Sequence, residues 1–590
     1  MALSAPQAHT NGYEFSQGSG YALPEYASVV PESVSSGVVE HHQIIIVGGG
    51  LAGLTLACSL AQLGVRAVLL DEDNTVGVKG ASSRGICYTQ KSLEIFDKLG
   101  IYERVKAKGI EWSVGRTFAG DDEVYRFDLK QQSNYSQSVQ PAFINIQQFY
   151  NEGYLVERIG EFNANKAPSA GADNGIEIRW NNRVTNFAVN NALATLSIAT
   201  HAGAYKATAD FIIDATGARS PFRQWLGVGV TAKKGDDRWC IADVRFNTQP
   251  PTERHTWIEA PFNDHRAVWQ HLMGDQVWRI DYQMAPDADP EYVSREDVVK
   301  ERLAKQFGPD VQVDIVWVGP YAYRSECVDK MLAPAGKSLV FFMGDSAKVV
   351  SPFGARGGNT GIADADNLAW KLAAVVQGHA APSLVHSYHA ERHEAAQTNV
   401  LVTNRTARFL RPADGAERLF RSAAIALAKK HPFARAFINT GRMAVANPYS
   451  ASPLTDPRLG TSFSVQNVAL TWADGSAGCL NDLLRWAGAR PLVLVWGDIV
   501  AKQRTRLLTL AGTDSVRIVH VAAQCKSVQA REAVLDPAHT LWHACHPHAA
   551  QRPGPGAWAL LRPDSYLCAQ GRVPNTALIQ AIARCRVPAL

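Results

Sequence analysis

No apolar run in this chain approaches the ~18 residues that a helix needs to cross a bilayer, so no membrane-spanning segment is expected. Cysteine is sparse and unpaired. Its nine residues include no CxxC, and most lie inside apolar stretches such as Leu56-Ala57-Cys58. This pattern excludes a disulfide framework and reads as buried thiols in a reducing, cytoplasmic compartment. Net charge is also small, at +4, with no basic block, which fits a soluble protein and gives no reason to expect nucleic acid. The first forty residues lack the charged and apolar regions of a signal peptide. Rich in Ser, Gly, Pro and Tyr, they read as a flexible leader or as an arm laid over the surface. His543, Cys545, His546 and His548 are too crowded along the chain to close on one ion unaided, so no metal site is expected.

What is present is a strand, a glycine turn and a helix in sequence. Ile44 to Val47 is a buried apolar run, followed by Gly48-Gly49-Gly50-Leu51-Ala52-Gly53 and by helical apolar spacing at Leu56, Leu60 and Leu63. Gly64 ends the helix, and Val65 to Leu70 forms a second strand ending at Asp71 and Glu72. Small residues in such a turn let the backbone approach a pyrophosphate at a helix N-terminus, and the terminal acid binds a ribose hydroxyl. The expected dinucleotide contacts are therefore Gly48, Gly50, Leu51, Ala52, Gly53, Asp71 and Glu72. About three hundred residues later a second motif runs Gly344-Asp345-Ser346-Ala347-Lys348 and continues through Ser351-Pro352-Phe353-Gly354-Ala355-Arg356-Gly357-Gly358-Asn359. That second motif marks the dinucleotide as FAD rather than NAD.

Further segments carry a resemblance. Ser83-Arg84-Gly85, Ser92 to Gly100, Gly344-Asp345, Asp364 to Leu372, and Tyr388 with Glu391-Arg392 resemble the single-component, class A FAD-dependent aromatic hydroxylases. These are the p-hydroxybenzoate hydroxylase type, and the chain is similar to their 3-(3-hydroxyphenyl)propionate and phenol hydroxylase branches. The resemblance runs from about residue 42 to the C-terminus. It implies an α/β fold: a Rossmann-like FAD-binding domain over 41–226 and 335–385, an inserted antiparallel β-sheet substrate domain over 227–334, linker helices over 386–456, and a thioredoxin-like domain without CxxC over 457–590. Residues 1–40 remain as leader, and a homodimer is implied.

The resemblance also implies roles. Asp345 would accept a hydrogen bond from a ribityl hydroxyl, Arg84 would reach the phosphates or ribityl chain, and Gln147 and Gly217 would join the cofactor contacts. Gly357, Gly358 and Asn359 would aim N–H groups at the flavin pyrimidine edge. Pro352 would shape the flavin face, and Arg356 would raise the local positive potential. Three positions depart from the family pattern: Thr216 stands where Asp is common, Lys348 where His is usual, and Ser351-Pro352 in place of Pro-Pro. Strand-like alternation in the inserted segment offers Trp239, Asp243, Trp257, His271, Arg279, Tyr282 and Tyr321 as substrate-facing residues, of which half or more are expected to be sheet packing.

The implied reaction uses NADH or NADPH and O₂ to hydroxylate an electron-rich phenol or hydroxybenzoate through a flavin C4a-hydroperoxide. The sequence does not identify the base for the phenol. A dehydrogenase or reductase acting on a non-aromatic substrate is the alternative, because Ala215-Thr216-Gly217 resembles a motif of such flavoproteins. The halogenase signature W-x-W-x-I-P is missing.

Overall fold

The computed structural model describes residues 7–9, 12–14, 21–77, 83–131, 137–165, 175–189, 192–412, 415–438, 444–497, 515–522, 533–536, 538–547, 554–573 and 576–588. His548 lies outside them. Among the described residues no helix is long and apolar enough to cross a membrane.

The first sheet is built on β1 (Glu40–Val47), whose last four residues are buried on both faces, as a central parallel strand requires. The chain continues through α1 (Leu51–Gln62) into β2 (Ala67–Leu70). After α2 (Gln148–Ala164) come β3 (Ile176–Arg179) and β4 (Gly203–Asp214). The parallel order is β3-β2-β1-β4, with Ser338–Phe342 joining the far side of β4. Asp214 pairs with Val47 in register. The glycine turn after β1 and the chain after β4 thus leave the same edge of the sheet.

The second sheet is antiparallel at its centre. It comprises β5 (Val230–Phe246), β6 (Arg254–Ala260), β7 (Arg266–Leu272) and β8 (Trp278–Gln283), then α3 (Glu296–Phe307) and β9 (Val313–Val328). The order β9-β5-β8-β7-β6 is extended beyond β6 by Val114–Ala119 and Asp122–Asp128, two strands from outside the inserted segment. Side chains alternate with period 2. Cys240, Ala242, Val244, Trp278, Ile280 and Tyr282 pack beneath Val299 and Leu303 of α3. Trp239, Asp243, His271 and Arg279 point the other way, toward the first sheet.

Helices α4 (Gly357–Val376), α5 (Ser387–Leu410) and α6 (Gly415–Lys430) follow. The third sheet contains β10 (Leu492–Trp496), β11 (Arg517–Ala522), β12 (Trp558–Leu561) and β13 (Tyr566–Gly571) in the order β13-β12-β10-β11, with α7 (Thr576–Arg586) on one face. There Cys545 is buried and His546 lies 3.6 Å from the Trp542 ring.

The described chain from Tyr21 runs as an arm over the first sheet. Tyr26 donates its N–H to Asn74 (2.8 Å) and stacks on Trp180 at 4.7 Å. A short helix, Ser33–Ser36, then leads into β1.

Candidate active site

The glycine turn is shaped by contact. Gly48 has φ +111°, and a Cβ there would lie 2.4 Å from the Ala215 carbonyl oxygen. A Cβ on Gly53 would lie 2.0 Å from the Gly48 carbonyl, whereas Gly50 faces open space. The first turns of α1 and α4 lie against each other: Cβ atoms added to Gly358 and Gly361 would meet Leu51 at 3.1 Å and Ala52 at 3.3 Å. Neither helix is capped by a side chain of its cap residue, Gly50 for α1 and Arg356 for α4. Two such N-termini, converging beside a turn that only glycine can build, fit an elongated dinucleotide with its anionic centre at the helix ends.

Around that cradle, Asp71 accepts the Gly49 and Asp73 N–H groups. Glu72 points outward, 3.3 Å from Arg183. Asp345 is exposed between buried Gly344 and Ser346, and its carbonyl accepts Arg223. Arg84 sits at φ +49° with its carbonyl accepting Arg279 Nη1. Gln147 begins α2 and donates to the Gly274 carbonyl (2.9 Å), while Gln148 accepts Gly85 N–H (3.1 Å). Gly217 turns the chain at φ +86°.

Three residues of the second motif have local partners. The Asn359 amide is spent locally, accepting Thr89 N–H (3.0 Å) and donating to the Cys87 and Ala355 carbonyls, so only its backbone is turned to the cradle. Arg356 is buried and donates to Asn399 on α5 (2.6 Å). The Pro352 carbonyl accepts Ala355 N–H (3.1 Å) and closes a turn.

Two of the three departures from the family pattern have physical counterparts. The Thr216 hydroxyl donates to Asp214 (2.6 Å). Buried Lys348 donates to Asp364 (2.7 Å), which also accepts Arg392 Nε (2.6 Å) and the Gly344 N–H (3.1 Å). Burial favours the neutral acid, but the two cations outweigh it and hold Asp364 below the usual carboxylate range. Lys348 therefore ties the Gly344-Asp345 turn to α4 and α5 from beneath.

The inward face of the second sheet supplies the opposite wall. Asp243, Arg279 and His271 stand side by side across β5, β8 and β7. Arg279 donates to Asp281 (2.8 Å) and to the Arg84 carbonyl, so one guanidinium joins this wall to the cofactor-side loop. Burial pushes His271 well below its ordinary value, reinforced by Arg254 and Arg279, which leaves a neutral imidazole. Burial lifts the Asp243 carboxyl to about 6, against the pull of Arg279, Ser83 and Tyr21. Trp239, Trp269 and Phe353 form an aromatic group, with Phe353 4.9 Å from Trp269 and 6.2 Å from Trp239. Phe353 sits in the Pro352 turn, so the second glycine motif and the sheet meet directly.

Tyr321 pairs with Trp239 in register at the sheet's edge and is exposed. Tyr282 is not brought to this wall. It lies on the opposite face, with its hydroxyl donating to Gln306 of α3 (2.7 Å). Trp257 stacks on Phe118 and packs against Phe262. Sequence reasoning did not place Arg254, Ser83 or Tyr21 at the site. Alternation from Thr256 would have turned Arg254 inward; the aperiodic arm carries no comparable signal for Tyr21.

Comparison with known proteins agrees with this geometry. The FAD binding domain family model matches residues 41–403. The 6-methylpretetramide 4-monooxygenase of Streptomyces rimosus is 27% identical over 91% of this chain and 92% of its own. A 3-(3-hydroxy-phenyl)propionate/3-hydroxycinnamic acid hydroxylase of Mycolicibacterium smegmatis is 24% identical over 77% of each. Among solved structures, the flavin-dependent monooxygenase PieE, in complex with FAD and substrate, shares the fold with a TM-score of 0.74 at 21% identity, covering 92% of this chain and 99% of that one. Aklavinone-11 hydroxylase, in a ternary complex with FAD and aklavinone, has a TM-score of 0.70 at 20% identity over 93% and 100%. The matched segment contains the glycine turn, the Arg84 loop, the inward-facing sheet and the Gly344-Asp345 turn, and the chain belongs to the FAD binding domain family.

Proposed function

We propose that this protein is an FAD-dependent monooxygenase that uses NADH or NADPH and O₂ to hydroxylate an electron-rich aromatic ring. The observation that carries this reading is the joining of two walls: Arg279 and Phe353 each bridge the dinucleotide cradle and the aromatic, charged face of the second sheet. The glycine turn, Asp71, Arg84, Asp345 and the first turn of α4 would hold FAD, whose bound flavin would accept hydride and activate O₂ for transfer of one oxygen atom. Trp239, Trp269 and Phe353 would stack on or edge the ring and exclude water. Arg254 and Arg279 would favour an anionic ring oxygen, and neutral His271 can donate or accept a hydrogen bond there.

Roles for Pro352 and Arg356 follow from their surroundings. Pro352 would shape the chamber through the turn that carries Phe353. Arg356, committed to Asn399, would act by fixing the first turn of α4. The third sheet, which pairs parallel and antiparallel strands around β10, fits a thioredoxin-like module without redox cysteines. A homodimer finds support in the exposed apolar side chains Leu419, Phe420, Leu427, Phe433 and Phe437; light scattering on the purified protein would show twice the chain mass. The function is tested with FAD-loaded enzyme against phenols, hydroxybenzoates and anilines, following NAD(P)H and O₂ consumption together with product mass. A substrate-stimulated rate giving a product heavier by one oxygen is expected; NAD(P)H oxidation coupled to a product without added oxygen would favour a dehydrogenase.

A further inference from the structure

The N-terminal arm reaches the substrate-facing wall. Tyr21 is buried, donates its hydroxyl to Asp243 Oδ2 at 3.0 Å, and places its ring 5.0 Å from Phe149 at the start of α2. Ser83 donates to the other oxygen, Oδ1, at 3.2 Å. The arm is held there by several contacts. The Thr75 hydroxyl donates to the Pro24 carbonyl (2.6 Å), Tyr26 bonds Asn74, and Val29 N–H donates to the Trp180 carbonyl (3.2 Å). Asp243 is fully buried and belongs to the same cross-strand row as Arg279 and His271. An ionised carboxylate has about four acceptor positions, so two hydroxyl donors leave room for a third.

We propose that the arm is part of the active site: Tyr21 is a positioning residue that, with Ser83, holds Asp243 ionised and oriented as the base for the ring hydroxyl of the substrate. The proton leaves the ring oxygen and forms a new O–H bond on the Asp243 carboxyl, while Tyr21 and Ser83 keep their own protons and the negative charge moves to the ring oxygen. Arg279 and Arg254 stabilise that charge. The groups that act on Asp243 come from several sides: Arg279 and Asp281 on β8, Ser83 from the loop and Tyr21 from the arm, while Gln147 and Arg245 act in turn on Tyr21 and His271 lies across β8 beside Arg279. A carboxyl raised to about 6 is suited to general-base work near neutral pH. Removing one hydroxyl donor raises it further, because the ionised form loses its partner.

This proposal rests on the hydroxylase reading, so the test has two arms. With the phenol that the wild-type holoenzyme hydroxylates, Tyr21→Phe should move the acid limb of kcat upward by about 0.5–1 pH unit and lower the rate below neutral pH by about three- to tenfold. KM should change little. Asp243→Asn should abolish that limb and lose about a hundredfold or more in kcat, and the double variant should be no worse than Asp243→Asn alone. Independently of turnover, 4-nitrophenol bound to the wild-type holoenzyme should ionise at a higher pH than when bound to Asp243→Asn, because the carboxylate charge beside its oxygen opposes the phenolate, read from its visible absorbance. An unshifted acid limb in Tyr21→Phe, or an effect on KM alone, would overturn the role of the arm. Equal ionisation of bound 4-nitrophenol in both proteins would overturn the role of Asp243, whether or not any phenol is hydroxylated.

Discussion

At the scale of single residues, two glycines of one turn separate folding from cofactor binding. Gly53→Ala drives a Cβ to 2.0 Å from a backbone oxygen, so the chain must shift at a cost of about 1–3 kcal/mol. Gly50→Ala meets nothing within 4 Å and keeps φ −79°, so stability should stay within about 0.5 kcal/mol of wild type. Its new methyl group nevertheless stands at the N-terminal end of α1, where a phosphate would lie. We therefore expect Gly53→Ala to lower both melting temperature and FAD content, and Gly50→Ala to lower FAD content alone, as measured by thermal melts and the flavin-to-protein absorbance ratio. The glycine turn was legible because its backbone demands are local. The substrate wall was legible only in part, for a reason of parity: Arg279 and Tyr282 are three residues apart on one strand and must face opposite sides, whereas Trp239 and Asp243 are four apart and share a face. The committed amide of Asn359 and the turn of Arg356 toward Asn399 depend on α5 and on Cys87–Thr89, far away in the chain, and no local pattern announces them.

At the scale of elements, α4, α5 and the β12–β13 hairpin share a buried charge network. Glu391 of α5 accepts Lys371 (2.7 Å) and Asn367 (2.7 Å) of α4, Ser452 (2.5 Å), and both Arg562 Nη atoms. Arg562 also binds Asp564 through Nε (2.9 Å). Burial would favour neutral Glu391, but Arg562 and Lys371 outweigh it and hold the group far below its ordinary range; burial lowers Lys371 to about 8. Breaking one partner of such a cluster costs about 3–5 kcal/mol. Arg562→Met and Glu391→Gln should each lower the unfolding free energy read from urea titration by that amount, and the double variant should lose less than their sum. The helical spacing and the Glu391-Arg392 pair were visible in the sequence. Their partners were not, because Arg562 lies on a hairpin whose own sequence indicates only turn and strand.

At the scale of the whole molecule, the same network and the Lys348–Asp364–Arg392 cluster give stability a pH signature. Asp364, Glu391 and Asp564 are all held below their unfolded values of 3.8 for Asp and 4.5 for Glu. Depressed carboxylates contribute stability that is complete above the unfolded values and lost as pH falls toward the folded ones. The share contributed by these carboxylates should therefore stay constant from about pH 5.5 to 7, below the range in which Lys371 titrates, and decline steeply below about 4.5, with a shallower decline in Glu391→Gln; thermal melts across that range provide the check. Individual strands of the three sheets could be read from periodicity, but the sharing of charge between α5 and the hairpin belongs to the tertiary fold alone. Glu391 and Arg562 are 171 residues apart, which sets a timetable during translation. At ~5–20 residues per second, the ribosome makes Arg562 roughly 10–30 s after Glu391. Through that interval Glu391 has Lys371 and Asn367 of α4 as partners but lacks Arg562, its strongest counter-ion. We therefore expect flavin loading to be completed only after the hairpin that carries Arg562 has been made.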